Sequence, residues 1–191
     1  MAVSIKKGRI GPGRIGTQIW MLKNLDVDTY RNGDPIPEVQ VGDWASISTG
    51  AWCYYEDNPA EGEVYGKLYN WHAVTDPRGL APVGWHIPSN TEISVLRTFI
   101  GNIGGPLKAT GTNYWSSPNT GATNLYKFNA LPGGIRLSSS NTNKTLNAYF
   151  WTTTERDVSI AEAYQLNHNS NAFPNPGFSK GNGLSVRLIK D

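Results

Sequence analysis

The sequence predicts an α+β domain in which two helices and a set of short strands carry long loops. Two observations lead there. Apolar residues fall at helical spacing in two places: Val64, Leu68 and Trp71 at i, i+4 and i+7, and Ile93, Leu96 and Ile100 behind Ser89. Short blocks of branched and aromatic residues, at 17–21, 52–55, 150–156 and 183–187, are separated by runs rich in Gly, Pro and Asn. A chain of 191 residues suits one domain, or one domain with an arm.

Residues 1–14 read as an N-terminal arm. Gly8-Arg9-Ile10-Gly11 is repeated as Gly13-Arg14-Ile15-Gly16 around Pro12, and two copies are too few for a solenoid. The domain proper is placed at 15–191. Its first strand is expected at 17–21, with apolar residues continuing at alternate places over 23–30. Asn32-Gly33-Asp34-Pro35 is a turn, since Asn-Gly accepts positive φ. A short aromatic strand at 52–55 is closed by Asp57-Asn58-Pro59. The first helix is predicted over 64–74 and is stopped by Asp76-Pro77-Arg78-Gly79. Ser89 and Glu92 have the spacing of a capping box, so a second helix starts there, and Gly101 ends it. Beyond Gly105 the pattern gives short strands and long loops. Residues 128–136 read as a strand broken by Gly133-Gly134, and the polar run 138–144 as a mobile loop.

Composition excludes several functions. A net charge of +2 is too small to point to a nucleic-acid partner. Seven Trp and nine Tyr supply ample apolar area, which argues against disorder. Cys53 is the only cysteine, so no intrachain disulfide and no multi-cysteine zinc site is possible. It lies in the aromatic run Ala51-Trp52-Cys53-Tyr54-Tyr55, where a buried inert thiol is expected. No apolar run approaches a membrane span, so no membrane insertion is expected. The start of the chain lacks the apolar stretch of a signal peptide. That suits a mature or truncated chain, or one delivered outside as part of a particle.

The last quarter reads differently from the rest. Two firm blocks, 150–156 and 183–187, bracket a looser stretch holding Asn167-His168-Asn169-Ser170-Asn171 and Phe173-Pro174-Asn175-Pro176-Gly177-Phe178. No packed core asks for that mixture. It reads as a display surface on a rigid frame, the usual construction of binding loops.

A set of blocks, in order, carries a resemblance. They are Ile15-Gly16-Thr17-Gln18-Ile19-Trp20-Met21, Asn24-Leu25, Tyr65-Gly66-Lys67-Leu68-Tyr69-Asn70-Trp71, Asp76-Pro77-Arg78-Gly79-Leu80-Ala81-Pro82 and Gly84-Trp85-His86-Ile87-Pro88-Ser89. Leu107-Lys108-Ala109-Thr110-Gly111, Phe128-Asn129-Ala130-Leu131-Pro132-Gly133-Gly134, Trp151-Thr152-Thr153-Thr154-Glu155 and Ser185-Val186-Arg187 follow. Over about residues 13–191 the chain resembles the Fibrobacter succinogenes major paralogous domain. The resemblance implies a C-type-lectin-like fold, with two helices, small twisted antiparallel sheets and long loops. It also implies two settings. Family members occur in secreted bacterial surface proteins. They also serve as variable proteins of diversity-generating retroelements, including those of phage tail fibres, where a reverse transcriptase rewrites adenines near the 3′ end of the gene. Asn codons are rich in adenine, and the stretch at about 148–183 is similar in place and texture to such a variable region. By that analogy Asp157, Ser159, Ile160, Glu162, Tyr164, Gln165, His168, Asn171, Phe173, Asn175 and Phe178 are free to vary. Family members often carry a Cys where this chain has Leu188, and a signal peptide upstream; both departures fit a particle assembled inside the cell.

The expected function is therefore non-enzymatic binding of a host-surface protein or glycan receptor. Tyr149, Tyr164, Phe173 and Phe178 are the expected anchors, since aromatic and amide side chains give contact area and adaptable hydrogen bonds. The bland alternative makes Tyr149 and Tyr164 core and the Asn residues turn caps. A bacterial surface adhesin or carbohydrate-binding domain is the second reading. No cofactor or metal is expected, and a homotrimer would suit a fibre tip. Oxidation by paired cysteines, known in the related formylglycine-generating group, is excluded by the single Cys53. Ser-His-Asp hydrolysis has no support, since His72, His86 and His168 stand in unrelated contexts; His86 is expected to be a hydrogen-bonded structural residue. Asp26 with Asp28, and Asp57 with Glu61, are read as turn and cap residues rather than a glycosidase pair. The sugar-binding triplets Glu-Pro-Asn and Trp-Asn-Asp of calcium-dependent lectins are absent.

Overall fold

A computed structural model describes residues 12–191 except 41 and 43. Of the expected arm, residues 1–11 lie outside the described residues. Its last two, Gly13 and Arg14, belong to the domain: strand β1 (Gly13–Ile15) pairs with β2 (Gln18–Trp20). In chain order there follow β3 (Trp52–Cys53), α1 (Pro59–Tyr65), β4 (Leu68–Tyr69), α2 (Trp71–Val74), β5 (Trp85–His86) and α3 (Asn90–Phe99). The second half holds β6 (Gly133–Arg136), β7 (Asn141–Lys144), β8 (Asn147–Glu155), β9 (Ile160–Asn167), β10 (Gly177–Ser179) and β11 (Ile189–Lys190). The strands form a four-stranded sheet ordered β1-β2-β11-β5, a five-stranded sheet ordered β10-β9-β8-β6-β7, and the pair β3-β4. The class is α+β, with three α-helices among the described residues.

α3 forms as its sequence dictates. The Ser89 side chain accepts from the Glu92 amide, Glu92 reaches back to the Ser89 amide, and Ile93, Leu96 and Ile100 are buried. Gly101, at φ 72°, ends it. The helix expected over 64–74 does not form as one piece. Gly66 turns the chain at φ 73°, where a Cβ would stand 2.8 Å from the Leu25 carbonyl, so α1 stops. Leu68 and Tyr69 are drawn into pairing with β3 instead, and Asn70 caps the separate α2 by accepting from the Ala73 amide. Val64, counted in the apolar stripe, is 41% exposed.

The C-terminal quarter also departs from expectation. β8 extends the expected 150–156 block backwards to Asn147. The neighbouring loose stretch contains an eight-residue strand, β9, in full register with β8 from Asn147↔Asn167 to Trp151↔Ala163. Residues 183–187, expected as a strand, instead thread the core and make single bridges to three elements: Gly183 to Arg136, Leu184 to Tyr69 and Ser185 to Phe150. The run 138–144, expected as a mobile loop, supplies β7, paired with β6.

The hairpin of β8 and β9 is the centre of the molecule because both of its faces are buried. Trp151, Ala161 and Ala163 pack into one cluster with Tyr69, Trp71 and Leu184. Ala148, Phe150, Tyr164 and Leu166 pack into another, against Ile93 and Leu96 of α3. The indole NH groups of Trp71 and Trp151 donate to the Thr152 and Tyr69 carbonyls at 2.9 and 2.8 Å, so the aromatic bodies are buried without orphaning their polar atoms.

Candidate functional site

The twelve residues expected to bind a ligand do not make one surface. Tyr149, Tyr164 and Phe173 are buried. Tyr164 stacks on Phe150 with ring centroids 4.9 Å apart and meets the Phe173 edge at 5.5 Å. All three are core side chains: Tyr164 lies on β9, Tyr149 on β8, and Phe173, outside both strands, packs on Tyr164. Phe178 is half-buried against Tyr149 and Trp151. Glu162 is held by Arg156 in a two-pronged ion pair, at 2.7 and 3.0 Å. Asp157 closes the β8–β9 turn: one carboxylate oxygen accepts from the Ser159 amide and hydroxyl and from the Ile160 amide. Those backbone bonds hold its carboxyl below the usual range. Asn175 donates to Asn90 at 2.8 Å. Asn171 fixes the turn at Gly105, whose amide it accepts at 2.9 Å.

The set is also split in space. Asp157 and Ser159 lie at one end of β9 and His168 at the other, about 30 Å apart at the strand rise of ~3.3 Å per residue. The two ends differ in character. Around the turn end, side chains are ion-paired or turn-forming, apart from Val158, which is 90% exposed. At the far end three segments remote in sequence converge: 114–120, 143–147 and 165–171. Ser116 joins Thr145 through its amide and its hydroxyl, both at 2.8 Å. The His168 amide donates to Leu146, the Thr120 amide donates to His168, and His168 Nδ1 donates to the Ser117 carbonyl at 3.0 Å.

On this convergence stands a row of uncharged polar groups. Asn143 donates to the Tyr149 hydroxyl at 2.9 Å. Gln165 and Asn167 both donate to the Asn147 side-chain oxygen, at 3.1 and 2.7 Å. Asn169 is exposed beside them, its amide bonded to Asn167. Cross-strand pairing explains the row: Asn147 faces Asn167 and Tyr149 faces Gln165, so all four point to one side of the hairpin. Tyr114, 42% exposed, stands edge-on to Tyr65. The backbone is strained here. Asn143 and Thr145 sit at φ 64° and 68°, and a branched residue such as Thr145 rarely adopts positive φ. Gln165 and His168 were among the residues expected from the sequence. Tyr114, Asn143 and Asn147 were not, because nothing local ties them to the C-terminal stretch.

The other chemically suggestive groups are committed to structure. Cys53 is buried, and desolvation pushes its thiol up to about 12, far from nucleophilic use. His86 is clamped by carboxylates on both ring nitrogens, Glu92 at 2.8 Å and Asp191 at 2.7 Å. Burial opposes its charge, yet the two carboxylates raise its pKa above the ordinary value. A ring with both nitrogens occupied is a staple between β5, α3 and the end of β11, as expected of a structural residue. Asp26 pairs with Lys67 at 2.6 Å and Glu61 with Lys144 at 3.0 Å, while Asp57 lies 3.8 Å from Arg136. Among the described residues no group of three or more His, Cys, Asp or Glu could hold a metal. Among them also, no helix is long and apolar enough to cross a membrane.

The sequence profile of the Fibrobacter succinogenes major domain matches residues 14–190, nearly the whole chain. The chain belongs to this family. No match was found among curated proteins or among solved structures. The matched span of the Fibrobacter succinogenes major domain begins inside β1 and ends within β11, which are joined through β2 in one sheet. All three converging segments therefore lie within the family domain.

Proposed function

We propose that this domain is a non-enzymatic binding module of C-type-lectin-like fold, and that its ligand-binding face is the convergence of residues 114–120, 143–147 and 165–171. The amides of Asn143, Gln165 and Asn167, braced from below by the buried Asn147 and Tyr149, carry the reading. Amides offer both donors and acceptors, and they suit an uncharged ligand with many hydroxyl or amide groups. The exposed Tyr114, on the segment that Ser116 ties to Thr145, adds a flat apolar contact. The ligand class is a neutral glycan or the backbone of a surface protein, and the module serves attachment to a cell surface.

The setting we propose is a retroelement-diversified attachment protein on a phage tail. A bacterial surface adhesin is the alternative. Burial narrows the set of residues free to vary. Only side chains that reach solvent, such as Asp157, Ser159, Gln165, His168 and Asn175, can change type without disturbing packing.

The test uses an array of neutral oligosaccharides, with wild type and the triple variant Y114A/Q165A/N167A. Wild type is expected to bind a subset of the array. The variant should lose about tenfold or more in affinity while keeping its unfolding temperature within a few degrees. Unchanged binding by the triple variant would contradict the placement of the face. A wild-type protein that binds no glycan on the array would leave a protein receptor as the ligand.

A further inference from the structure

Lys108 is fully buried, and among the described residues no carboxylate pairs with it. Its Nζ donates to three backbone carbonyls instead: Thr120 at 2.8 Å, Asn167 at 2.9 Å and Ser170 at 3.3 Å. The Trp115 ring lies 5.3 Å away and closes the remaining side. A lysine amine has three donor hydrogens, so the three carbonyls use all of them. The base of the side chain is rigid. Leu107 and Ala109 on either side are core residues, and both are hydrogen-bonded to Ala130, the Ala130 amide donating to Leu107 and the Ala109 amide donating to Ala130. Lys108 thus reaches from a fixed point in the core into two turns that belong to the candidate binding face, one at 117–122 and one at 167–171.

We propose that Lys108 is the positioning residue of this face: its amine is the donor hub that locks the 167–171 turn against the 117–122 turn and so sets where the exposed side chains of both stand. The proposal rests on the binding reading above for its functional meaning, but the hub itself is a matter of geometry. An unpaired buried charge is costly, and burial pulls the Lys108 pKa down to about 8. An apolar side chain of the same length would avoid that cost but would leave three carbonyls unsatisfied, each at a penalty comparable to a lost hydrogen bond. One amine therefore satisfies carbonyls of both turns at once. It secures the relative placement of two surface turns.

The test is amide hydrogen exchange on the full chain in wild type, K108M and K108A. In K108M the amides of Thr120 and His168, which bond to His168 and Leu146, should exchange at least about tenfold faster, while amides of α3 and central β8 stay within about twofold. n-Propylammonium should restore protection in K108A, whereas n-propanol should not. Wild-type protection of Thr120 and His168 in K108M would overturn the proposal, as would equal restoration by the alcohol or no restoration by either. Should K108M fail to fold, wild type alone decides: the two amides should open as one unit, and exchange rates implying separate openings overturn it. The neutral-glycan array then separates the two claims. Loosened turns with unchanged glycan binding in K108M would overturn the binding reading while the hub stands; loosened turns with weakened binding support both.

Discussion

Tyr164→Ala is expected to destabilise the domain by ~3–5 kcal/mol, the range for removing a large aromatic from a packed core. Tyr164 is 0% exposed, stacked on Phe150 and abutting Phe173 and the Leu166 side of β9. Domains of this size are stable by ~5–15 kcal/mol, so this one substitution would remove a third or more of the total. The companion variant Tyr164→Phe separates packing from polarity. The Tyr164 hydroxyl is buried without a hydrogen-bond partner, and this burial pushes its pKa well above the usual range. Deleting that oxygen should leave stability unchanged or raise it slightly, since an orphaned buried hydroxyl contributes nothing favourable. Urea unfolding of both variants checks this. A Tyr164→Ala protein as stable as wild type would return the residue to the surface and restore it as a ligand anchor.

Arg187→Met is the second large effect, expected at ~2–4 kcal/mol. Arg187 is fully buried with no carboxylate partner among the described residues. Its guanidinium donates twice to the Asn24 side-chain oxygen, at 2.6 and 3.0 Å, and to the carbonyls of Phe128 at 2.7 Å and Met21 at 3.2 Å. Its plane lies 4.4 Å from the Phe128 ring centre. Two effects compete. Removing the charge relieves desolvation, which pulls the pKa down to about 10. It also strands three acceptors, the Asn24 side-chain oxygen and the Met21 and Phe128 carbonyls. The second effect should win, because one guanidinium satisfies them all and methionine satisfies none. Arg187→Lys should recover only part of the loss, since a single ammonium cannot span the same geometry. Thermal unfolding would read the loss as about 4–16 °C at ~2–4 °C per kcal/mol. An Arg187→Met protein melting with wild type would mean that this part of the core does not depend on the guanidinium.

How much of this was legible in the sequence follows from the range of the interactions involved. α3 was readable because its signals are local: a cap, a box partner three residues on, and a stripe. The 64–74 helix was misread because its apolar spacing is real but Gly66 breaks the backbone, and the cross-strand pairing of Leu68 with Cys53 outcompetes helix continuation. β9 was invisible for a different reason. Its inward residues include Ala161 and Ala163, too small to show as an apolar pattern, while Glu162 and Gln165 interrupt the rest. Read as loose, it became a display loop, and Tyr164 and Phe173 with it. The C-terminal end of β9 stands out in the sequence for its Asn-His-Asn texture. Its partners were out of reach, since Ser116 and Thr145 meet across 29 residues and His168 and Ser117 across 51. The structure brings to that end amides and an exposed tyrosine that no local pattern could assign to it.

The most direct test of the account needs no ligand. Sequence the segment of this gene encoding residues 148–183, deeply, from a natural population. A displayed and diversified face on a fixed frame is expected to give substitutions at adenine-bearing codons of residues that reach solvent, the half-buried Gln165 and His168 and the exposed Asn169 foremost. Tyr149, Tyr164, Leu166 and Phe173 should stay constant. Substitutions spread evenly over buried and exposed positions, or a uniformly low rate throughout, would contradict it.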